Sequence, residues 1–136
     1  MAWLLDTNVL SELRKGSKAN PGVIRWSIST GSARHWISTL SLGEIRKGIE
    51  LLRKKSPSQC PAFERWLDRI RIEFDQTILP VCDAVAEKWG LITASTNLPV
   101  TDGLLAATAH VHDLTIVTRN TKDFKAAGVR ILSPFV

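Results

Sequence analysis

Apolar positions follow two rhythms along the 136-residue chain, short unbroken runs and stretches spaced by three and four. The runs predict buried strands and the spaced stretches predict helices. The first run, Trp3-Leu4-Leu5, meets Asp6-Thr7-Asn8, and a helical pattern begins at Val9-Leu10-Ser11-Glu12-Leu13. Asp6 therefore falls at the carboxyl end of a strand as the chain turns. That helix closes near Lys15-Gly16. A second opens with Asn20 as cap and Pro21 in its first turn, carries Val23, Ile24, Trp26 and Ile28, and ends by Gly31. Trp36-Ile37-Ser38-Thr39 reads as a short second strand.

A helix follows from Ser41 to about Lys55, with Leu42, Ile45, Ile49 and Leu52 in one stripe. Ser56-Pro57-Ser58 breaks it. From Pro61 another helix presents Phe63, Trp66, Leu67, Ile70 and Phe74 on one face, which makes a protruding helical hairpin. Thr77 to Val81 reads as a third strand, with Pro80 confining it to an end or an edge. Asp83 to about Ser95 is helical with Val85, Ala86, Trp89 and Ile92 inward. A helix rich in small residues starts near Asp102. Thr115 to Thr118 is a β-branched strand, Arg119 to Phe124 turns into a short helix stopped by Gly128, and Val129 to Leu132 is a last strand. This alternation predicts a single α/β domain over residues 1–136, three layers deep, with a mostly parallel sheet of four to five strands.

Charge changes the picture in one respect. The formal charge is +5, which suits a polyanionic partner. Arg46, Lys47, Arg53, Lys54, Lys55, Arg65, Arg69 and Arg71 crowd the hairpin, where a solvated outer face is the alternative reading. Cys60 and Cys82 lack metal-ligand spacing and are expected as small buried hydrophobes. No run is long enough to span a membrane and no signal-peptide pattern opens the chain, so the expectation is a cytoplasmic protein. His35, His110 and His112 have no partner in the sequence that suggests acid–base work.

Candidate chemistry lies at four places where polar residues meet a strand end or a first helical turn: Asp6, Glu44, Asp102 and the Asn120/Asp123 pair. In a parallel sheet the carboxyl ends of all strands face one way, so these can converge. Clustered carboxylates repel, and a divalent cation relieves the repulsion. Oxygen-only donors favour Mg²⁺ or Mn²⁺. Each residue also has a capping role open to it: Asp6 at its helix start, Glu44 in a Ser41-x-x-Glu44 capping box, Asp102 and Asp123 in first turns.

Four stretches together resemble PIN-domain ribonucleases: Leu4-Leu5-Asp6-Thr7-Asn8, Ser41 through Gly48, Asp102 through Ala109, and Thr118 through Phe124. The likeness is greatest to VapC-type toxins of bacterial toxin–antitoxin pairs, including the FitB-like branch, and spans the chain in order. It implies a Mg²⁺-dependent endoribonuclease (Mn²⁺ a possible substitute) with Asp6, Glu44 and Asp102 as metal-holding acids. The fourth position departs from the pattern, since Asn120 stands where some relatives carry aspartate; Asp123, before a phenylalanine, is the other candidate. Thr7, Asn8 and Thr118 would support the carboxylates, and Arg46 and Lys47 would meet RNA or an antitoxin. The resemblance also implies a cognate antitoxin that blocks the site with a basic side chain, and a homodimer. Two other readings are a degenerate PIN domain that binds RNA or acts as a scaffold, and a receiver-like Mg²⁺ signalling module. The second needs paired acids after the first strand and an aspartate ending the third, whereas here the first ends in one acid and the third in Pro80-Val81-Cys82-Asp83.

Overall fold

In the computed structural model, which describes residues 1–136, every strand pairing is parallel. The five strands lie in the order β3-β2-β1-β4-β5. They are β1 (Trp3–Leu5), β2 (His35–Ser38), β3 (Ile78–Leu79), β4 (Thr115–Val117) and β5 (Ile131–Leu132). Successive side chains leave a strand on opposite faces. Leu4 and Leu5 are nevertheless both fully buried, which requires a covered layer on each side. Leu5, Ile37 and Val117 enter one core with helices α1 (Thr7–Leu13), α2 (Pro21–Thr30), α3 (Thr39–Lys55) and α4 (Cys60–Glu73). Leu4, Leu79 and Ile116 enter a second core with α6 (Val100–Val111) and α7 (Thr121–Lys125), flanked by α5 (Asp83–Thr93). The domain is thus the expected three-layer α/β/α sandwich.

Small residues set how closely α6 lies on the sheet: Ala106, Ala107 and Ala109 are fully buried. Gly103 does the same against α5, because a Cβ there would come 2.8 Å from Thr93 Cγ2 and 3.0 Å from Trp89 Cδ1. The hairpin of α3 and α4 turns through Pro57–Gln59, with Cys60 buried and its Sγ 3.7 Å from the Ile49 carbonyl.

Several expectations are corrected. Helix α3 starts at Thr39, not Ser41, because Ser38 at the end of β2 caps it directly through a bond from Leu40 N–H (3.0 Å). The capping box at Ser41 and Glu44 does not exist, and Ser41 is buried inside the helix. Ile28 is 77% exposed, since five residues beyond Val23 is about 140° round a helix. Ala86 is exposed beside the Val85 stripe, and Cys82 is exposed at the entrance to α5. Strand β3 keeps two residues at the sheet edge and ends before Pro80.

Candidate functional site

Parallel pairing puts the residues after β1, β2 and β4 along one edge. Leu5 pairs with Val117, so Asp6 and Thr118 come next to each other where the strands stop. The Asp6 N–H is still held by the Val117 carbonyl at 2.9 Å, which fixes the carboxylate at that edge. Its Oδ1 accepts from Thr7 N–H at 2.8 Å, the helix-capping role available to it. Its Oδ2 accepts from the Thr118 hydroxyl at 2.8 Å and from Asn8 Nδ2 at 3.3 Å. Thr118 is fully buried, and its Oγ1 also accepts from Asn120 N–H at 3.0 Å.

The start of α3 brings in Glu44. Thr7 Oγ1 lies 2.7 Å from Glu44 Oε1 and 2.9 Å from Ser41 Oγ. A hydroxyl has one proton and an ionised carboxylate only accepts, so Thr7 donates to Glu44. Ser41 is the residue the sequence reading missed. Its place three before Glu44, hence on the same helical face, was the available signal, hidden by the capping-box reading.

Asp102 reports how the acids sit. Its carboxyl is pushed above the ordinary range first by burial, then by the negative charges of Asp6, Asp123 and Glu44. Four elements thus bring acids separated by up to 117 positions within electrostatic reach of one group. Asp6 is raised too, chiefly by burial, with the bonds from Thr118, Thr7 and Asn8 pulling it partly back. Glu44, Asn120 and Asp123 are exposed, Asp102 half-buried and Asp6 buried. No three of these acids close into a ready-made metal cage. The donor set is oxygen alone and carries excess negative charge. That suits a hard divalent cation that keeps several of its own waters.

The basic residues divide. Arg46 is tied to the facing helix by two bonds to Glu64 (2.6 and 2.9 Å) and to Glu50 of its own helix, one turn on, by a third (3.1 Å). Its guanidinium, expected to meet RNA or an antitoxin, is thus engaged in ion pairs along the hairpin. Lys47 lies three residues after Glu44 and shares its face. Together they line an open groove of about 520 Å³ with Thr39, Gly43, Leu51 and Thr101. His35 stands apart: it is buried, stacked on Trp26 at 4.8 Å with Nε2 2.7 Å from Thr30 Oγ1.

A parallel α/β/α domain with an acidic pocket at the carboxyl edge of its sheet defines the class. The chain belongs to the PIN domain family, whose pattern it matches over residues 3–129. It is 34% identical to Toxin FitB of Neisseria gonorrhoeae, with 97% of each chain covered. It is 28% identical to the VapC ribonuclease Y4jK of Sinorhizobium fredii, covering 97% of this chain and 96% of the other. Among solved structures it resembles FitAcB from Neisseria gonorrhoeae, with a TM-score of 0.85, 33% identity and 97% of each chain covered.

Proposed function

We propose that the protein is a Mg²⁺-dependent endoribonuclease, the toxin of a toxin–antitoxin pair, which acts on RNA in the cytoplasm and is silenced by a cognate antitoxin. The observation that carries this reading is the convergence of acids on Asp102: burial first, and then the charges of Asp6, Asp123 and Glu44, each on a different element, hold its proton more tightly. A carboxyl that burial and neighbouring negative charge make reluctant to ionise is one that a divalent cation would stabilise. Relatives named a toxin and a ribonuclease support the reading.

Asp6, Glu44 and Asp102 would hold the cation, with Asp123 adding charge and Asn120 an uncharged oxygen. A cation held there would activate a water and neutralise charge on the phosphodiester. The chain's own residues do the positioning. Thr118, Asn8 and the Thr7 N–H fix both Asp6 oxygens, and the Thr7 hydroxyl fixes Glu44. Lys47, on the Glu44 face of α3, draws the RNA backbone into the groove. Blockage by a basic antitoxin side chain among the acids follows from the same charge. Assembly as a homodimer belongs to the proposal as well.

Purified protein incubated with RNA should cleave it with Mg²⁺ or Mn²⁺ and stop when chelator is added. Asp6→Ala should lower the rate at least about 100-fold, the scale of losing a group that organises a metal site, with the fold intact by circular dichroism. Cleavage by Asp6→Ala at the wild-type rate would remove the assigned site. RNA binding without cleavage under any divalent ion would favour the scaffold reading instead.

A further inference from the structure

The buried carboxylate of Glu12 is an acid that the proposed chemistry leaves unused. It lies on α1, its side chain 7% exposed, and accepts three bonds: from Lys15 Nζ (3.0 Å), Asn20 N–H (2.8 Å) and Arg119 Nη2 (3.3 Å). Burying a charge is costly unless it is paired, so its partners are informative. Lys15 and Asn20 are local. Arg119 is not: it follows Thr118 directly, at the exit of β4, where its guanidinium also stacks over Phe135 at 4.3 Å.

Glu12 and Asn8 are four residues apart and share a face of α1. Both bind Arg119, Glu12 through the guanidinium and Asn8 through the backbone, where Asn8 Oδ1 accepts the Arg119 N–H at 3.2 Å. That second bond decides which way the Asn8 amide points. With Oδ1 engaged by a donor, Nδ2 is turned to the other side, where it donates to Asp6 Oδ2 and to Thr118 Oγ1, each at 3.3 Å.

We propose that Glu12 and Arg119 are a positioning pair: they lock residues 118–120 against α1 and so orient Asn8 onto Asp6, setting the affinity of the acidic site for a divalent cation. The inference rests on the reading of that site as metal-binding. Arg119→Ala removes the clamp while Glu12 keeps Lys15 and Asn20, so the fold is retained. Glu12→Gln, a second variant, keeps the side chain's shape and removes the charge that draws the guanidinium.

The test uses Mn²⁺ alone, without RNA, titrated into the full chain and followed by electron paramagnetic resonance. Hydrogen exchange of the Asn8 side-chain amide is measured by NMR in metal-free protein. Arg119→Ala and Glu12→Gln are each expected to weaken Mn²⁺ binding about 10-fold, the lower end of what removing an outer partner of a metal ligand does. The Asn8 amide protons should exchange faster in both. A merely structural role would lower thermal stability without moving either readout. Wild-type Asn8 exchange in both variants overturns the inference, as does wild-type Mn²⁺ affinity in both while Asp6→Ala has lost it. If Asp6→Ala itself binds Mn²⁺ like wild type, the metal-site reading falls, and the pair's effect on affinity falls with it.

Discussion

Asp6 carries two duties that sequence reasoning sets against each other, capping a helix and serving a site. A carboxylate has two oxygens, and here one takes the Thr7 N–H while the other is held from across the β1–β4 pairing by Thr118. The acid at Asp6 was legible from the strand-to-helix transition. Its partner Thr118 lies 112 residues away and becomes adjacent only through strand register. Asn120 and Asp123, the two candidates for the fourth position, make different contacts. Asp123 acts on Asp102 by charge, whereas the Asn120 backbone is tied to Thr118. Asp123→Ala is therefore expected to reduce Mg²⁺-dependent RNA cleavage by about 10-fold or more, the scale of a perturbed metal environment, and Asn120→Ala by less. Single-turnover rates of both variants against wild type check the order.

At the scale of elements, periodicity identified the helices, and their ends were where it misled. Ser38, Thr39, Leu40 and Ser41 contain three good caps in four positions. Only tertiary placement selects Ser38, since β2 passes into α3 without a loop and the Ser38 hydroxyl is fully buried at that junction. The choice matters functionally, because a start at Thr39 leaves Ser41 and Glu44 inside the helix, on the face toward Thr7. Ser38→Ala should cost about 1 kcal/mol, as loss of a capping side chain does, measured by urea unfolding. A second element-level constraint is Gly22 in the first turn of α2. A Cβ there would lie 2.2 Å from the Pro134 carbonyl oxygen, a backbone atom that cannot rotate aside. Gly22→Ala should destabilise the protein by about 1–3 kcal/mol, the range for overpacking, and should release residues 134–136 from Asn20, as NMR or limited proteolysis would register. Nothing in the sequence marks Gly22 as different from the glycines that have open space around them.

Across the whole molecule, the parallel topology turns a dispersed set of acids into a local excess of negative charge within a basic chain. The alternation of strands and helices made the topology legible. The pairing of Arg46 and Arg53 with Glu64 was not, since it depends on how α4 lies against α3. The acidic pocket has a consequence for stability. Asp6 and Asp102 hold their protons more tightly when folded than ordinary carboxyls do. In metal-free protein their contribution is fully present at pH below the ordinary carboxylate range and is lost as pH rises through the raised folded values. A divalent cation that binds the ionised pocket opposes this loss. Mg²⁺ should therefore raise the melting temperature at pH 7–8 and leave it unchanged near pH 3, a pair of thermal scans that Asp102→Asn should render alike.

The proposed chemistry requires a divalent cation bound among these acids. Crystals soaked in Mn²⁺ and measured for anomalous scattering would test it most directly. The expected result is a peak at the carboxyl edge of the sheet, within ligand distance of Asp6 and Asp102. Anomalous density confined to other parts of the surface, from a protein whose RNA cleavage depends on Mn²⁺, would contradict a metal site at this edge.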